Sequence, residues 1–400
     1  MSWEQKIDVN NVSTIICGSR VFLGVGAIKK IDFIAEQLKA RGIDSILAMT
    51  GKAAYAKTGA WDYVTKALDS KGIRYTLYNK VQPNPEIQQV DEAVKMGRDA
   101  GAKAVIAIGG GSPIDAGKSA AILLEYPDKT CQDLYEMKFS AEKAVPLIAI
   151  NLTHGTGTEA NRFAVVTIPE KEYKPAIAYD CIYPLYSIDD PALMTELPAD
   201  QTRYVTVDAL NHVVEAATTV LNNPFSITLG KEVVRLVAKY LPVALKDPKD
   251  LTARYFLTYA AMIAGTSFDN GLLHFTHALE HPLSGIKPEL SHGLGLAILL
   301  PAVVKTIYPA SGLILADLLS DIVPGLSGDA GEADKAAEGV RSWLKSVGVT
   351  EKLGDVGFTK SDVPKLVQLA FETPGLQGLL NCAPVGSGKE VVEKIYTESF

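Results

Sequence analysis

The feature that most restricts the fold of this chain is a change of rhythm half-way along it. In the first half, short apolar runs rich in β-formers alternate with longer segments of helical period. Beyond Tyr183-Pro184 the strand signal fades, and the rest reads as helices separated by Gly, Pro and Asp clusters. Alternating strands and helices bury their apolar strands as a parallel sheet wrapped by helices. Strands are expected at Ser45–Met49, Tyr75–Tyr78, Ala104–Ile108 and Leu147–Ile150, with helices at Ala27–Arg41, closed by Gly42, and at Pro85–Gly101. The expected architecture is therefore an α/β domain with a parallel sheet over residues 1–190 and an all-helical domain over residues 191–400. The boundary is expected near Pro191, with the cleft between the domains as the default place for a ligand.

Composition removes several function classes. With 39 basic and 46 acidic residues the net charge is −7, which gives no general attraction for nucleic acid or anionic lipid. The longest nearly apolar stretch, Leu294–Val304, falls well short of the ~18–20 residues of a membrane span. The first residues lack the basic-then-apolar pattern of a secretory signal, and Cys17, Cys131, Cys181 and Cys382 stand far apart without CxxC pairs. A cytoplasmic globular protein is expected.

The most informative loop is Gly109-Gly110-Gly111-Ser112-Pro113-Ile114-Asp115-Ala116-Gly117-Lys118, lying between the strand Ala104–Ile108 and the apolar run Ala120–Leu124. Glycines let backbone amides approach a ligand closely, and a helix start adds partial positive charge, so a diphosphate would fit. Ser112 is the expected N-cap, Pro113 the first helical residue, Asp115 the partner in a capping box, and Lys118 an added cation. The competing reading is an ordinary tight turn, because the spacing matches neither GxGxxG nor a Walker loop. A second polar loop, Thr153-His154-Gly155-Thr156-Gly157-Thr158-Glu159, follows the strand ending at Ile150.

Four of the six histidines fall within nineteen residues: His274, His277, His281 and His292. Spacings of three and four put the first three on one helical face, and Pro282 is expected to leave His281 in the helix's last turn. Upstream, Asp208 and His212 are four apart in an apolar-periodic segment, where a carboxylate needs a reason to face inward. One carboxylate and imidazoles from two helices make a plausible divalent-cation site. Without thiolate they suit iron(II) or zinc.

These residues together resemble the iron-containing alcohol dehydrogenase family over essentially the full length. The carrying motifs are Gly109–Lys118 (GGGSxxDxxK), Gly155–Glu159 (GTGSE, here with Thr158), Asp208–His212 (DAxxH), and His277 with His281-Pro282-Leu283 and His292-Gly293. The resemblance implies metal ligation by Asp208, His212, His277 and His292, with His281 as the proton-relay residue. It places the coenzyme on Gly110, Gly111 and Ser112 with Asp115, on Thr153 and Thr156 at the nicotinamide side, and on Lys174 and Asn84. The substrate pocket would take Phe163, Phe268 and Leu273, with His274 nearby. Homo-oligomers are common in this family.

Four departures matter. Where many members carry an aspartate after the second strand, this chain has Thr50-Gly51-Lys52, so a 2′-phosphate is not repelled and NADP becomes a candidate beside NAD. The loop before GTGTE reads Asn151-Leu152-Thr153-His154 instead of Pro-Thr-Thr-Ala, and the His281–His292 interval is one residue longer than usual. The expected chemistry is hydride transfer from a metal-bound alkoxide to nicotinamide, or its reverse, on short alcohols or aldehydes. Arg162, where the family has uncharged residues, would pair with a carboxylate or sulfonate on the substrate if it faces the cleft, and otherwise is a surface arginine. The alternatives are a zinc enzyme like dehydroquinate synthase or glycerol dehydrogenase, or a non-catalytic nucleotide- or metal-binding protein.

Overall fold

The computed structural model describes residues 2–8 and 11–400. Six strands form one parallel sheet: β1 (Val21–Leu23), β2 (Ser45–Gly51), β3 (Arg74–Val81), β4 (Val105–Gly109), β5 (Leu147–Asn151) and β8 (Tyr186–Asp189), in the order β1-β8-β5-β4-β2-β3. The other two, β6 (Phe163–Val165) and β7 (Ala176–Ala178), make a small antiparallel pair. Helices α1 (Ile31–Ala40), α2 (Ala54–Lys57), α3 (Ala60–Ser70), α4 (Ile87–Asp99), α5 (Gly111–Leu123) and α6 (Cys131–Tyr135) lie between these strands in the chain.

Every residue of β4 and β5 is buried, because helices cover both faces of the sheet. Alternate side chains divide accordingly. Leu47, Val105, Ala107, Leu147 and Ala149 join one apolar cluster, and Ile46, Ile106, Ile108, Ile148 and Ile150 join the other. The four expected strands are all present: β2, β3 and β5 are one to four residues longer than their apolar runs, and β4 has the expected length shifted by one residue. Strand β8 was not expected, since only four residues separate its flanking turn from two aspartates.

The remaining helices are α7 (Ala199–Ala216), α8 (Pro224–Lys246), α9 (Leu251–Gly271), α10 (Phe275–Ile286), α11 (His292–Leu318), α12 (Ala333–Ser346), α13 (Val363–Glu372), α14 (Leu376–Asn381) and α15 (Lys389–Glu398). Helix α11 is long and apolar enough to cross a membrane by length and composition. Two thirds of its apolar window is buried, and it packs against α7, α8, α10, α12 and α15, so it is the core helix of its unit.

The chain divides into two compact units. The helical one comprises Met1–Ile16, Ala199–Asp247 and Ile263–Phe400, and the α/β one comprises Cys17–Pro198 and Pro248–Met262. A single cut near Pro191 is thus too simple. The early residues join the helices because the Ile16 N–H donates to Asn270 Oδ1 (2.6 Å) and the Trp3 indole to Asp317 (3.0 Å).

Inside the α/β unit, Glu159 and Asp189 are fully buried, and both Glu159 oxygens and Asp189 Oδ2 lack a hydrogen-bond partner. Burial pushes both carboxyls above the usual range, and Glu159 raises Asp189 further, while Lys118 and Asn151 oppose this. As pH rises above about 4.5, the unfolded chain releases protons that the buried pair retains, so folding is progressively penalised. Glu159→Gln is therefore expected to be the more stable protein at pH 8, by about 2 kcal/mol, and to lose that advantage by pH 4. Urea unfolding at several pH values checks this. A constant difference would show that the pair carries no excess proton.

Candidate active site

The glycine turn is built by crowding. Gly109 has φ +157°, and a Cβ there would lie 2.4 Å from Pro113 Cγ. A Cβ on Gly110 would meet Thr153 Cγ2 at 2.7 Å, and one on Gly111 would meet Thr156 Cγ2 at 2.8 Å. The two polar loops are thus packed on each other through positions that only glycine fits. Strands β2, β4 and β5 are neighbours, so Gly51 and Lys52, the glycine turn, and Thr153 with Thr156 all follow the carboxyl ends of adjacent strands. That is where open α/β sheets bind ligands.

The helix start differs from the expected cap. Helix α5 begins at Gly111 with Gly110 as N-cap, and no side chain caps it, so its first-turn amides suit an anion. Pro113 falls at the third helical position, where a missing N–H costs nothing. Asp115 closes no capping box. Its carboxylate accepts from the Thr158 hydroxyl (2.7 Å) and the Val165 N–H (3.1 Å), and burial pushes its pKa up to about 6.

Lys118 does not present a cation to the turn either. Its ammonium is buried and donates to Thr158 O, Thr158 Oγ1, Asn161 O, Asn161 Oδ1 and Phe163 O at 2.7–3.2 Å, pinning the segment after the second loop. Lys52 is exposed, Lys174 is buried, and Asn84 holds a left-handed backbone (φ 52°) that asparagine tolerates. Arg162 donates to the exposed Asp180 carboxylate (2.7 Å), so its charge already has a partner. Phe163 follows on β6 and is half-buried.

In the helical unit, α7 and α10 meet where Glu215 holds the start of α10, and α11 packs against both. Gly293 lets α11 approach α7, since a Cβ there would lie 2.0 Å from Tyr204 O. Asp208, His277 and His292 each offer an atom within 4.8 Å of the others. His212 stands alongside, its Nε2 3.4 Å from Asp208 Oδ1 and its ring stacked between Phe268 (4.4 Å) and His277 (4.7 Å). The His277 Nε2 is 3.5 Å from the same Asp208 oxygen. Asp208 Oδ1 and His277 Nε2 are buried polar atoms without hydrogen bonds, and an ion between them would satisfy both. One carboxylate and imidazoles fit iron(II) or zinc, and the donor set passes that test.

Two further residues complete the arrangement, and the sequence reading missed both. Glu215, on α7, accepts from His277 Nδ1 and from the His274 N–H (3.0 Å) and His277 N–H (3.2 Å). Glu280, on α10, accepts from His292 Nδ1 and from the Ser284 hydroxyl. Each carboxylate fixes its histidine with the proton on Nδ1, leaving Nε2 for a ligand. The signal was present in the spacing, because Asp208, His212 and Glu215 fall at i, i+4 and i+7 of one helix face. Despite burial, the histidines His277 and His274 hold Glu215 down to about 2.

His281 lies inside α10, which runs through Pro282, and not at its last turn. Phe275 to Gly285 are all buried, and that burial outweighs the ~3 kcal/mol cost of an interior proline. The His281 ring is 5.7 Å from His292 and 6.5 Å from His277. His274 precedes α10 as its N-cap and does not share the cluster's face. Its Nδ1 accepts from the Phe275 N–H (2.7 Å) and its Nε2 donates to Thr218 Oγ1 (2.9 Å), so both nitrogens are committed to structure. Leu273 is half-buried.

Two family models cover the chain, "Iron-containing alcohol dehydrogenase" over residues 18–191 and the C-terminal model of the same family over residues 202–400. The chain belongs to the iron-containing alcohol dehydrogenase family. A long-chain primary alcohol dehydrogenase of Thermoanaerobacter ethanolicus is 59% identical, covering all of both chains. The crystal structure of an NADH-dependent butanol dehydrogenase from Thermotoga maritima has a TM-score of 0.89 at 29% identity, over 97% of this chain and 98% of that one. A sulfoacetaldehyde reductase from Bifidobacterium kashiwanohense, solved with NAD+, has a TM-score of 0.82 at 25% identity, over 97% and 99%. As an iron-containing alcohol dehydrogenase, the protein is a metal-dependent, NAD(P)-linked alcohol and aldehyde oxidoreductase. The cyclase and binding-only alternatives are set aside.

Proposed function

We propose that Asp208, His212, His277 and His292 hold iron(II), with zinc as the alternative, and that the protein interconverts neutral primary alcohols and aldehydes. The observation that carries this reading is the convergence of one carboxylate and two imidazoles whose tautomers are set by Glu215 and Glu280. A divalent cation there supplies Lewis acidity, lowering the cost of negative charge on an alcohol oxygen. NAD(P), held by Gly110, Gly111, Ser112, Thr153, Thr156, Asn84 and Lys174 at the α/β unit, supplies the hydride acceptor. Oxidation of the alcohol also releases a proton, which His281 passes on, since an imidazole exchanges protons near neutral pH. The Arg162–Asp180 pair favours uncharged substrates over sulfonates or carboxylates. The relative named for long-chain primary alcohols supports extending the range beyond short chains. We further propose a homo-oligomer in the cytoplasm, where the four unpaired cysteines suit a reducing compartment.

NADP(H) is the proposed coenzyme, because exposed Lys52 follows β2 with no carboxylate in Thr50-Gly51-Lys52. The test is coenzyme absorbance after anaerobic reconstitution with iron(II) or zinc, using NADH and NADPH with a chain-length series of aldehydes. Lys52→Ala is expected to raise the KM for NADPH about tenfold, equivalent to one charge-assisted contact, and to leave that for NADH unchanged. Equal effects on both would retire the NADP assignment.

A further inference from the structure

His154 stands where the family pattern has alanine, and neither metal nor proton chemistry uses it. It is completely buried in the loop between β5 and the segment pinned by Lys118. Its Nε2 lies 2.7 Å from Nη1 of Arg254, a fully buried arginine in the first turn of α9 whose Nε donates to Pro248 O (3.0 Å). Residues 248–262 belong to the same compact unit as the loop, so this is a contact inside the α/β unit. A guanidinium only donates hydrogen bonds, so Nε2 must accept, and the imidazole must be neutral with its proton on Nδ1. Burial and the adjacent guanidinium agree, holding the His154 pKa down to about 3.

The residues on either side of His154 are those that meet the glycine turn. Thr153 packs at the point a Cβ of Gly110 would occupy, and Thr156 does the same for Gly111. The loop backbone is otherwise held near this point by the Thr153 N–H donating to Asn151 Oδ1 (3.0 Å). An anchored imidazole between the two threonines fixes where both hydroxyls stand.

We propose that His154 is a positioning residue for the nicotinamide coenzyme: its neutral ring, tethered by Arg254, sets the loop that presents Thr153 and Thr156 beside the glycine turn. This rests on the reading that the turn takes the coenzyme diphosphate. The ring is fully buried, and it acts through the threonines.

The test is calorimetric binding of NADH and NADPH to the metal-loaded protein, with KM and kcat measured beside it. His154→Ala is expected to weaken coenzyme affinity about tenfold and raise its KM, with kcat at saturation within twofold of the parent. An amide oxygen replaces Nε2 in glutamine and Nδ1 in asparagine, so His154→Gln should restore affinity and His154→Asn should not. That comparison stands even if the alanine variant fails to fold. Labelling with 15N-histidine should show the His154 ring neutral at pH 5, protonated on Nδ1. Equal affinity of the glutamine and asparagine variants, or a His154 ring that titrates near 6.5, would overturn the proposal. A parent protein that binds neither NADH nor NADPH would instead sink the underlying reading of the turn.

Discussion

Asp208→Ala is expected to lose its bound metal and about a thousandfold in kcat, while coenzyme affinity stays within twofold of the parent. Lewis-acid stabilisation is worth several kcal/mol, and each ~1.4 kcal/mol is tenfold in rate. Asp208 supplies the only carboxylate of the proposed ligands, so its removal leaves imidazoles alone around a dication. Burial pushes its pKa up, yet the facing His212, His277 and His292 outweigh this and keep it ionised. Metal analysis and nucleotide calorimetry on the same preparation separate the two halves of the expectation. Retention of stoichiometric metal with kcat within tenfold would remove Asp208 from the ligand set. The coenzyme arm matters because the glycine turn belongs to a different unit of the chain.

The second large effect concerns Lys118, whose role changed between sequence and structure. Read as part of a phosphate-binding loop, it should contribute to nucleotide affinity. Buried as it is among five oxygens, it should contribute to stability instead. Lys118→Met is expected to cost about 3–5 kcal/mol, because it strands those acceptors and leaves Asp115 without its neighbouring cation. Denaturant titration should show a lower midpoint with an unchanged slope. A loss below about 1 kcal/mol accompanied by weakened nucleotide binding would restore the phosphate role.

The contrast shows what could be read from the residues. Strands β4 and β5 were legible because both of their faces are buried, so their apolar runs are continuous. Strand β8 was not, because its four residues end in Asp189 followed by Asp190, and acids at a strand end read as a turn. The histidine cluster was legible by scarcity. Of its supporting glutamates, Glu215 was signalled by its place on the Asp208–His212 face, whereas Glu280 was hidden in good helical sequence, where a carboxylate ordinarily belongs to a solvated face. Only the three-dimensional pairing with His277 and His292 shows that both are buried. Helix α10 through Pro282 is a case of tertiary burial overriding a local breaker. Arg254 was invisible as a partner of His154 because a hundred residues separate them.

The division of the chain has a consequence for how this molecule comes off the ribosome. Every strand of the sheet has been made by residue 189, yet the segment that supplies Arg254 to His154 ends only at residue 262. The sheet can pair early, but the second polar loop waits for an anchor, Arg254, a hundred residues beyond His154. The helical unit waits longer still. The Tyr396 hydroxyl, on α15, donates to Leu279 O, so that unit is closed only once residue 396 has been made. Nascent chains released early would carry a nearly formed sheet and an open bundle, the apolar flank of α11 among the surfaces a chaperone would have to shield.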